Sequence, residues 1–292
     1  MFPGPARKLK LNLLRRRFRS IHGYPLNLQN PRSLNEKVRW IILNCDLEPL
    51  SVLVDKSRVR DFVTERIGND YLIPLIGSYN QFDDIDFAAL PQAFVMKTTH
   101  GSGWNVLVRD KSSICWDLIR YKVNGWLRQS YYELSGESNY RNLKGRIILE
   151  KLLHDPDGLH DFKFYCCGGE VLGAHVDIDR FGDHQYRTYD SEWREFDKEN
   201  LSSAIGIPKI PKPAKLDEMI EVCQKLASGF PYVRVDLYYA SGKVYFGELT
   251  FTPGAGIEPY DPVIADYFFG APFDVHSFLK PPQIIGNWPQ YV

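Results

Sequence analysis

Residues 233–256, VRVDLYYASGKVYFGELTFTPGAG, place an arginine, two acids and threonines at two-residue spacing on either side of a turn. Side chains alternate along a strand, so Arg234 and Asp236 share one face while Val233, Val235 and Leu237 share the other. On the returning run Glu248, Thr250 and Thr252 share a face. Pairing parity decides whether the two sets meet. An odd-numbered loop such as 240–242 sets Arg234 opposite Glu248 and aims all these groups into one space. A two-residue loop at 241–242 sends them to opposite faces; the odd loop is the expectation. Two carboxylates and a hydroxyl are hard ligands suited to Mg²⁺, which usually completes its shell with water and substrate phosphates. Arg234 beside them suits a carboxylate or a developing oxyanion. Gly254 and Gly256 then offer backbone N–H groups free of bulky side chains. The plainer alternative is an exposed hairpin face with scattered ion pairs.

A second stretch, VMKTTHGSGWNVLV (95–108), ends an apolar run on Lys97 and continues through His100, Gly101, Ser102 and Gly103 into another apolar run. Such a turn is either a bland hairpin or a flexible lid whose amides close on phosphates, as Gly-rich loops do. Alone it is weak evidence. Lys97 and this loop, followed 140–150 residues later by the acidic pair, make a stronger pattern.

The elements that must carry these groups read as mixed α+β with antiparallel sheets. PRSLNEKVRWIILN and SVLVDKSRVRDFVTERIG each read as a helix, the second closed by Gly68. A short strand is expected in DYLIPLIGSYN, further strands at 93–98, 104–109 and 146–153, and a helix through Trp116, Ile119, Val123 and Trp126. In the second half, DFKFYCCGGEVLGAHVDID turns at Gly168-Gly169, and a second hairpin turns near Ser241-Gly242 after the helix KLDEMIEVCQKLASGF. Hairpins outnumber βαβ units, which disfavours a doubly wound parallel sheet. The expected division is a helical, basic region with a short α/β part (1–90), a lid-bearing part (91–153) and a part with metal and acceptor site (154–292).

The 292 residues suffice for a large core, and no apolar run approaches a membrane span. Five cysteines without a C-x-x-C pair and seven histidines without H-E-x-x-H argue against a disulfide framework or a zinc site. Without a secretory h-region, the expected location is the cytoplasm, extending to the inner membrane surface. The net charge of zero hides a segregation: residues 1–35 hold eight Lys/Arg and no acid. Leu11, Leu14, Phe18 and Ile21 recur there at helical spacing among Arg15, Arg16, Arg17 and Arg19. This helix either solvates its basic face or meets an anionic membrane surface or polyanionic substrate. No nucleic-acid module is recognisable, so nucleic acid is not an expected partner.

In this order, DKSRVRDFV, LPQAFVMKTTHGSG, RIILEKLL, DFKFYCCGGEVL and VRVDLYY…GKVYFGELTFTPGAG resemble the ATP-grasp superfamily, in its TupA-like branch of bacterial surface-polysaccharide proteins. The resemblance spans about residues 30–265. It implies an ATP-grasp fold with the nucleotide held between two antiparallel-sheet subdomains, and ATP and Mg²⁺ as cofactors. It also implies nucleotide contacts from Lys56, Lys97, the lid residues 98–105, and Lys163, with Glu150, Lys151 and Leu152 meeting the adenine edge. Arg234 resembles the arginine that steadies a tetrahedral intermediate, and Asp236 and Glu248 the Mg²⁺ carboxylates. Asparagine is common at the position of Thr250, so this third metal ligand departs from the pattern. Lys56 on a basic helix, Glu150-Lys151 at a strand end, and an Asp161–Lys163 cross-strand pair each have a plain structural alternative.

The implied activity is ATP-dependent ligation of a carboxylate to an amine. The family context implies a uronic acid of capsule or wall polysaccharide, joined to an amino acid or amino alcohol. Residues 175–190, HVDIDRFGDHQYRTYD, are the candidate acceptor wall, with Asp179 and Arg180 in it. Three rivals stand beside it. A glycosyltransferase would use Asp177-Ile178-Asp179 as a D-x-D motif, although Asp84-Ile85-Asp86 matches equally well. A kinase would keep the ATP site and phosphorylate a sugar hydroxyl. A non-catalytic binding protein would leave Lys97, Asp236 and Glu248 without a shared purpose.

Overall fold

Apolar alternation in the first half builds a four-stranded antiparallel sheet. The computed structural model describes residues 5–155, 158–178, 185–196 and 209–279. Its first sheet takes β1 (Leu75–Tyr79), β2 (Phe94–Thr98), β3 (Asn105–Val108) and β4 (Ile147–Lys151) in the order β1-β4-β2-β3. Phe94, Met96, Ile147 and Leu149 bury one face in a cluster with Val106, Val108 and Val123. Val123 belongs to α5 (Trp116–Leu127), whose Trp116, Ile119 and Trp126 pack on the same cluster. Alternation therefore leaves Lys97, on β2, off the face that carries Phe94 and Met96.

The second sheet holds β5 (His160–Cys167), β6 (Glu170–Ile178), β7 (Gln185–Asp190), β8 (Tyr232–Ala240) and β9 (Lys243–Thr250) in the order β7-β6-β5-β8-β9, all antiparallel. Val233, Val235 and Leu237 are fully buried in one core with Met219, Val222, Cys223 and Leu226 of α7 (Leu216–Ala227). Because one face is committed to apolar packing, Arg234 and Asp236 must stand on the other.

Two sequence expectations change here. The 51–68 stretch is not one helix: α3 (Ser51–Val54) ends at Asp55, and α4 (Val59–Ile67) begins after a turn. Asp55 Oδ1 accepts from the Ser57 N–H (2.8 Å), the Ser57 hydroxyl (2.7 Å) and the Arg58 N–H (3.1 Å), the local competition by which Asp interrupts a helix. Lys56 consequently sits in the turn. The β8–β9 connection is likewise a two-residue turn, because Ala240 pairs with Lys243. Ser241 (φ 50°) and Gly242 (φ 76°) take the left-handed conformations such a turn needs. Parity is restored by a bulge between Asp236 and Leu237, where Leu237 pairs with Phe246 but Asp236 pairs with Glu248. The extra residue is Gly247, whose Cβ, were it present, would lie 3.0 Å from the Asp236 carbonyl oxygen.

The N-terminal region is helical as expected. α1 (Pro5–His22) is anchored by the fully buried Phe18, stacked near His22 (4.1 Å) and Tyr24 (5.4 Å). α2 (Leu34–Asn44) opens on a Ser33/Glu36 capping box and fixes the loop after β9. The Asn35 side chain donates to the Glu258 carbonyl (3.0 Å), and its N–H to Asp266 (2.9 Å) on α8 (Val263–Gly270). No described helix is long and apolar enough to cross a membrane.

Candidate active site

The polar face of the five-stranded sheet carries a continuous row of register partners, Thr188, His175, Lys163, Asp236 and Glu248, one from each strand. Beside it, Tyr165, Arg234 and Thr250 form the next row. The groups expected to converge from residues 234–250 do so, with Arg234 opposite Thr250 rather than Glu248. The Arg234 guanidinium donates twice to Asp236, from Nε and Nη2 (both 2.7 Å), and from Nη2 to Glu248 (3.1 Å) and Thr250 (3.2 Å). The Thr250 hydroxyl also donates to Glu248 (2.8 Å). Nη1 has no hydrogen bond within the described residues and is the nitrogen left for a ligand.

Burial pushes the Asp236 carboxyl up to about 7; Arg234 opposes this, while Glu248 and Asp161 add to it. The Glu248 side chain is 36% exposed, so the pair combines one dry and one accessible carboxylate. Two adjacent oxygen-donor acids, one raised by burial with Glu248 adding to the rise, fit a hard divalent cation, which would offset both effects. Thr250 adds one neutral oxygen. The donor set therefore fits Mg²⁺ through Asp236 and Glu248, with Thr250 beside them.

Lys163 is buried against Asp161 (2.6 Å) and Asp177, and His175 Nε2 lies 3.1 Å from Asp177. Burial alone would lower the Lys163 pKa, but Asp161, Asp236 and Asp177 outweigh it and raise the value. The Asp161–Lys163 pair thus exists but lies within β5 rather than across strands; the link across strands is Lys163 to Asp177 on β6. Burial lowers the His175 pKa despite Asp177, so the ring is neutral.

These groups floor a cleft of about 990 Å³ that reaches Ser102, Tyr186, Gly254 and Tyr260. Tyr186 stacks on His175 (4.3 Å), and the two line the cleft from β7 and β6. Asp179 and Arg180 lie outside the described residues. Gly254 (φ 53°) lines the cleft, whereas Gly256 is buried against α2, where a Cβ would meet the Asn35 carbonyl oxygen at 2.7 Å. Gly256 therefore permits helix contact rather than substrate contact.

A second, nearly closed slot of about 10 Å³ is lined by Lys56, Arg60, Lys97, Glu150, Phe246 and Gly247 among others. Lys97 pairs with Glu150 (2.7 Å), which Arg60 also engages (3.1 Å). The Lys56 ammonium donates to the Gly101 carbonyl, tying the turn after α3 to the lid. Burial lowers its pKa, and Glu248, Lys97, Asp55 and Glu150 all act on it, so the slot and Glu248 share one electrostatic field. Lys151 is exposed at the end of β4, and Leu152 follows half-buried.

In the lid, Ser102 faces the cleft and Gly103 adopts φ 72°. His100 is turned to other work: its Nε2 lies 3.2 Å from the Trp126 carbonyl, and its ring packs on Trp104 (5.0 Å). It anchors the lid to α5. Sequence reasoning missed Arg60, for which spacing gives no signal, and Glu137, which accepts from Thr252 in the cleft. The D-x-D candidates are occupied locally: Asp177 by Lys163 and His175, Asp84 by the Gln81 N–H (3.1 Å), and Asp86 by the Ala88 N–H (3.0 Å).

A family model described as TupA-like ATPgrasp matches residues 36–274. No curated protein matches the chain. Among solved structures, the chain is similar to D-alanine–D-alanine ligase from Helicobacter pylori at 16% identity, covering 82% of this chain and 62% of that one, with a TM-score of 0.42. It is similar to L-amino acid ligase from Bacillus licheniformis at 14% identity, covering 86% and 57%, with a TM-score of 0.47. A third is D-alanine–D-alanine ligase from Bacillus anthracis complexed with ATP, at 16% identity, 84% and 70% coverage and a TM-score of 0.45. The chain spans 62% and 57% of the length of the first two.

Proposed function

Since the chain belongs to the TupA-like ATP-grasp family, whose cofactors are ATP and Mg²⁺, we propose that it is an ADP-forming carboxylate–amine ligase. The observation that carries this reading is the convergence of Arg234, Asp236, Glu248 and Thr250 on one sheet face, where Arg234, Glu248 and Thr250 line an open cleft and Arg234 holds the buried Asp236. In the proposed reaction a substrate carboxylate oxygen attacks the γ-phosphorus of ATP, and the bond to the β-phosphate oxygen breaks to release ADP. The amine then attacks the acyl phosphate, and phosphate leaves as the amide forms.

The chain's own residues contribute by position and charge. Lys56 and Lys97 face the transferring phosphate, with Ser102 and Gly103 folding over it. Asp236 and Glu248, with Thr250, would hold Mg²⁺, which when bound would neutralise phosphate charge. Nη1 of Arg234 faces the oxyanion of the tetrahedral intermediate. Glu150, Lys151 and Leu152 are the proposed adenine edge, which requires the slot to widen and Lys97 to exchange Glu150 for phosphate. Lys163 and the wall of β6 and β7, with Gly254, bound the acceptor space. For substrates we assign a uronic acid of a surface polysaccharide and an amino acid or amino alcohol. The basic α1 brings the protein to an anionic inner membrane surface.

Thermal melts test this without the acceptor, because a ligand that binds the native state raises the melting temperature. Mg-ATP is expected to stabilise the wild type and not Lys97→Ala. ADP release with a panel of uronates and amines then identifies the pair. Stabilisation only by a nucleotide-sugar with Mn²⁺ would refute the ligase reading.

A further inference from the structure

The wall of the cleft facing away from the sheet has its own chemistry. Leu13, Leu14 and Arg17 of α1, Arg39 of α2 and Leu134 of α6 (Tyr131–Ser135) line it. Leu13, Leu14 and Arg17 lie outside the stretch matched by the family, whereas Arg39 and Leu134 lie within it. Arg39 forms no ion pair within the described residues, and its Nε is buried without a hydrogen-bond partner. A buried guanidinium donor left unpaired is costly, which marks a place where a ligand completes the structure. Burial lowers the Arg39 pKa to about 10; Arg17 lowers it further, and Glu137 opposes them. The two arginines therefore sit in each other's field rather than beside compensating acids.

The neighbouring acids do not satisfy the pair. Glu137 is 5% exposed, hydrogen-bonded by Thr252, and its pKa is raised by burial. Glu258 lines the same cleft, is exposed and packs beside Gly254, and it forms no ion pair with either arginine within the described residues. Next to the arginines the surface is apolar: Leu13 is 55% and Leu134 66% exposed, and Leu9, one turn before Leu13, is 63% exposed. Paired guanidiniums match a tetrahedral anion, and the exposed leucines beside them match hydrocarbon.

We propose that Arg17 and Arg39 form a second anion subsite that holds the phosphate of an amphiphile, a lipid-linked acceptor whose apolar chain leaves over Leu9, Leu13 and Leu134. That the amphiphile is the acceptor rests on the ligase reading; the binding itself does not. The sugar end reaches the polar row of the sheet, and the phosphate stays at the helical wall, so a single molecule spans the cleft.

Calorimetric titration with decyl phosphate, inorganic phosphate and decyl maltoside, below micellar concentrations, separates the sources. Decyl phosphate is expected to bind tightest, and Arg17→Gln and Arg39→Gln each to weaken it about tenfold or more while leaving decyl maltoside unaffected. Arg17 is exposed, so its variant remains informative if Arg39→Gln does not fold. Wild-type affinity in folded Arg17→Gln overturns the subsite. Equal binding of inorganic phosphate, or of decyl maltoside, overturns the lipid-linked ligand. Melts with Mg-ATP on the same preparation read the ligase site separately: no stabilisation there, with decyl phosphate binding intact, fails the ligase reading and leaves the subsite standing.

Discussion

Asp236 and Glu248 differ in burial, and that difference sets what each substitution reports. Glu248 is partly exposed and contributes an accessible carboxylate, so Glu248→Gln should keep the fold while lowering Mg-ATP-dependent turnover by roughly 10²–10³-fold. Melting temperature alongside ADP release checks this, and an unfolded or fully active variant would contradict the assignment. Arg234 is a poor probe by comparison, because its loss strands the buried Asp236 at a cost of about 3–5 kcal/mol. On the proposed metal site, Asp236 would make cation binding pH-dependent. Its folded pKa, about 7, lies above the ordinary 3.8, so the folded protein retains a proton that the unfolded chain has lost. The ligand-free protein accordingly loses stability as pH rises through that window. A cation requires the ionised form, so stabilisation by Mg-ATP is expected to grow from pH 6 to pH 8 and then level off. Melts at fixed Mg-ATP would show this, and a pH-independent shift would remove Asp236 from the metal site.

Among the elements, the turn after β2 is the one that the proposed reaction requires to close on the nucleotide. Lys56 holds the Gly101 carbonyl, His100 holds α5, and Trp104 lies across Gly101 while stacking near Trp126 (6.4 Å). A Cβ on Gly101 would fall 2.4 Å from the Trp104 ring, closer than real contacts allow. Gly101→Ala should therefore displace Trp104 and raise the KM for ATP about tenfold, with a smaller change in kcat. Steady-state kinetics at saturating acceptor would decide, and an unchanged KM would show that the lid does not close on the nucleotide.

For the whole molecule, the separation of charge is the feature with consequences. Arg15, Arg16 and Arg19 are exposed on α1, and the rest of the chain carries the balancing acids. Each basic group near an anionic surface contributes about 1 kcal/mol, so replacing all three with Gln should weaken vesicle binding about a hundredfold. Co-sedimentation with anionic and zwitterionic vesicles at low and high salt measures this. Equal binding of both vesicle types would refute the membrane contact.

Local rules made much of the architecture legible in advance. Period-two alternation located β2, β4 and the two hairpins, because that signal depends only on nearby residues. Residue types at 234, 236, 248 and 250 indicated metal and oxyanion chemistry, and the order of motifs indicated ATP-grasp. Tertiary structure decided the rest. Loop length alone would have split Arg234 from Glu248; only the bulge at Gly247 reunites them, and a bulge is set by how both strands settle onto the core beneath. Asp55 broke a helix that periodicity had joined, and so delivered Lys56 to the lid. Arg39 and Arg17 became neighbours because Phe18 anchors α1 beside α2, a long-range packing that no spacing along the chain encodes.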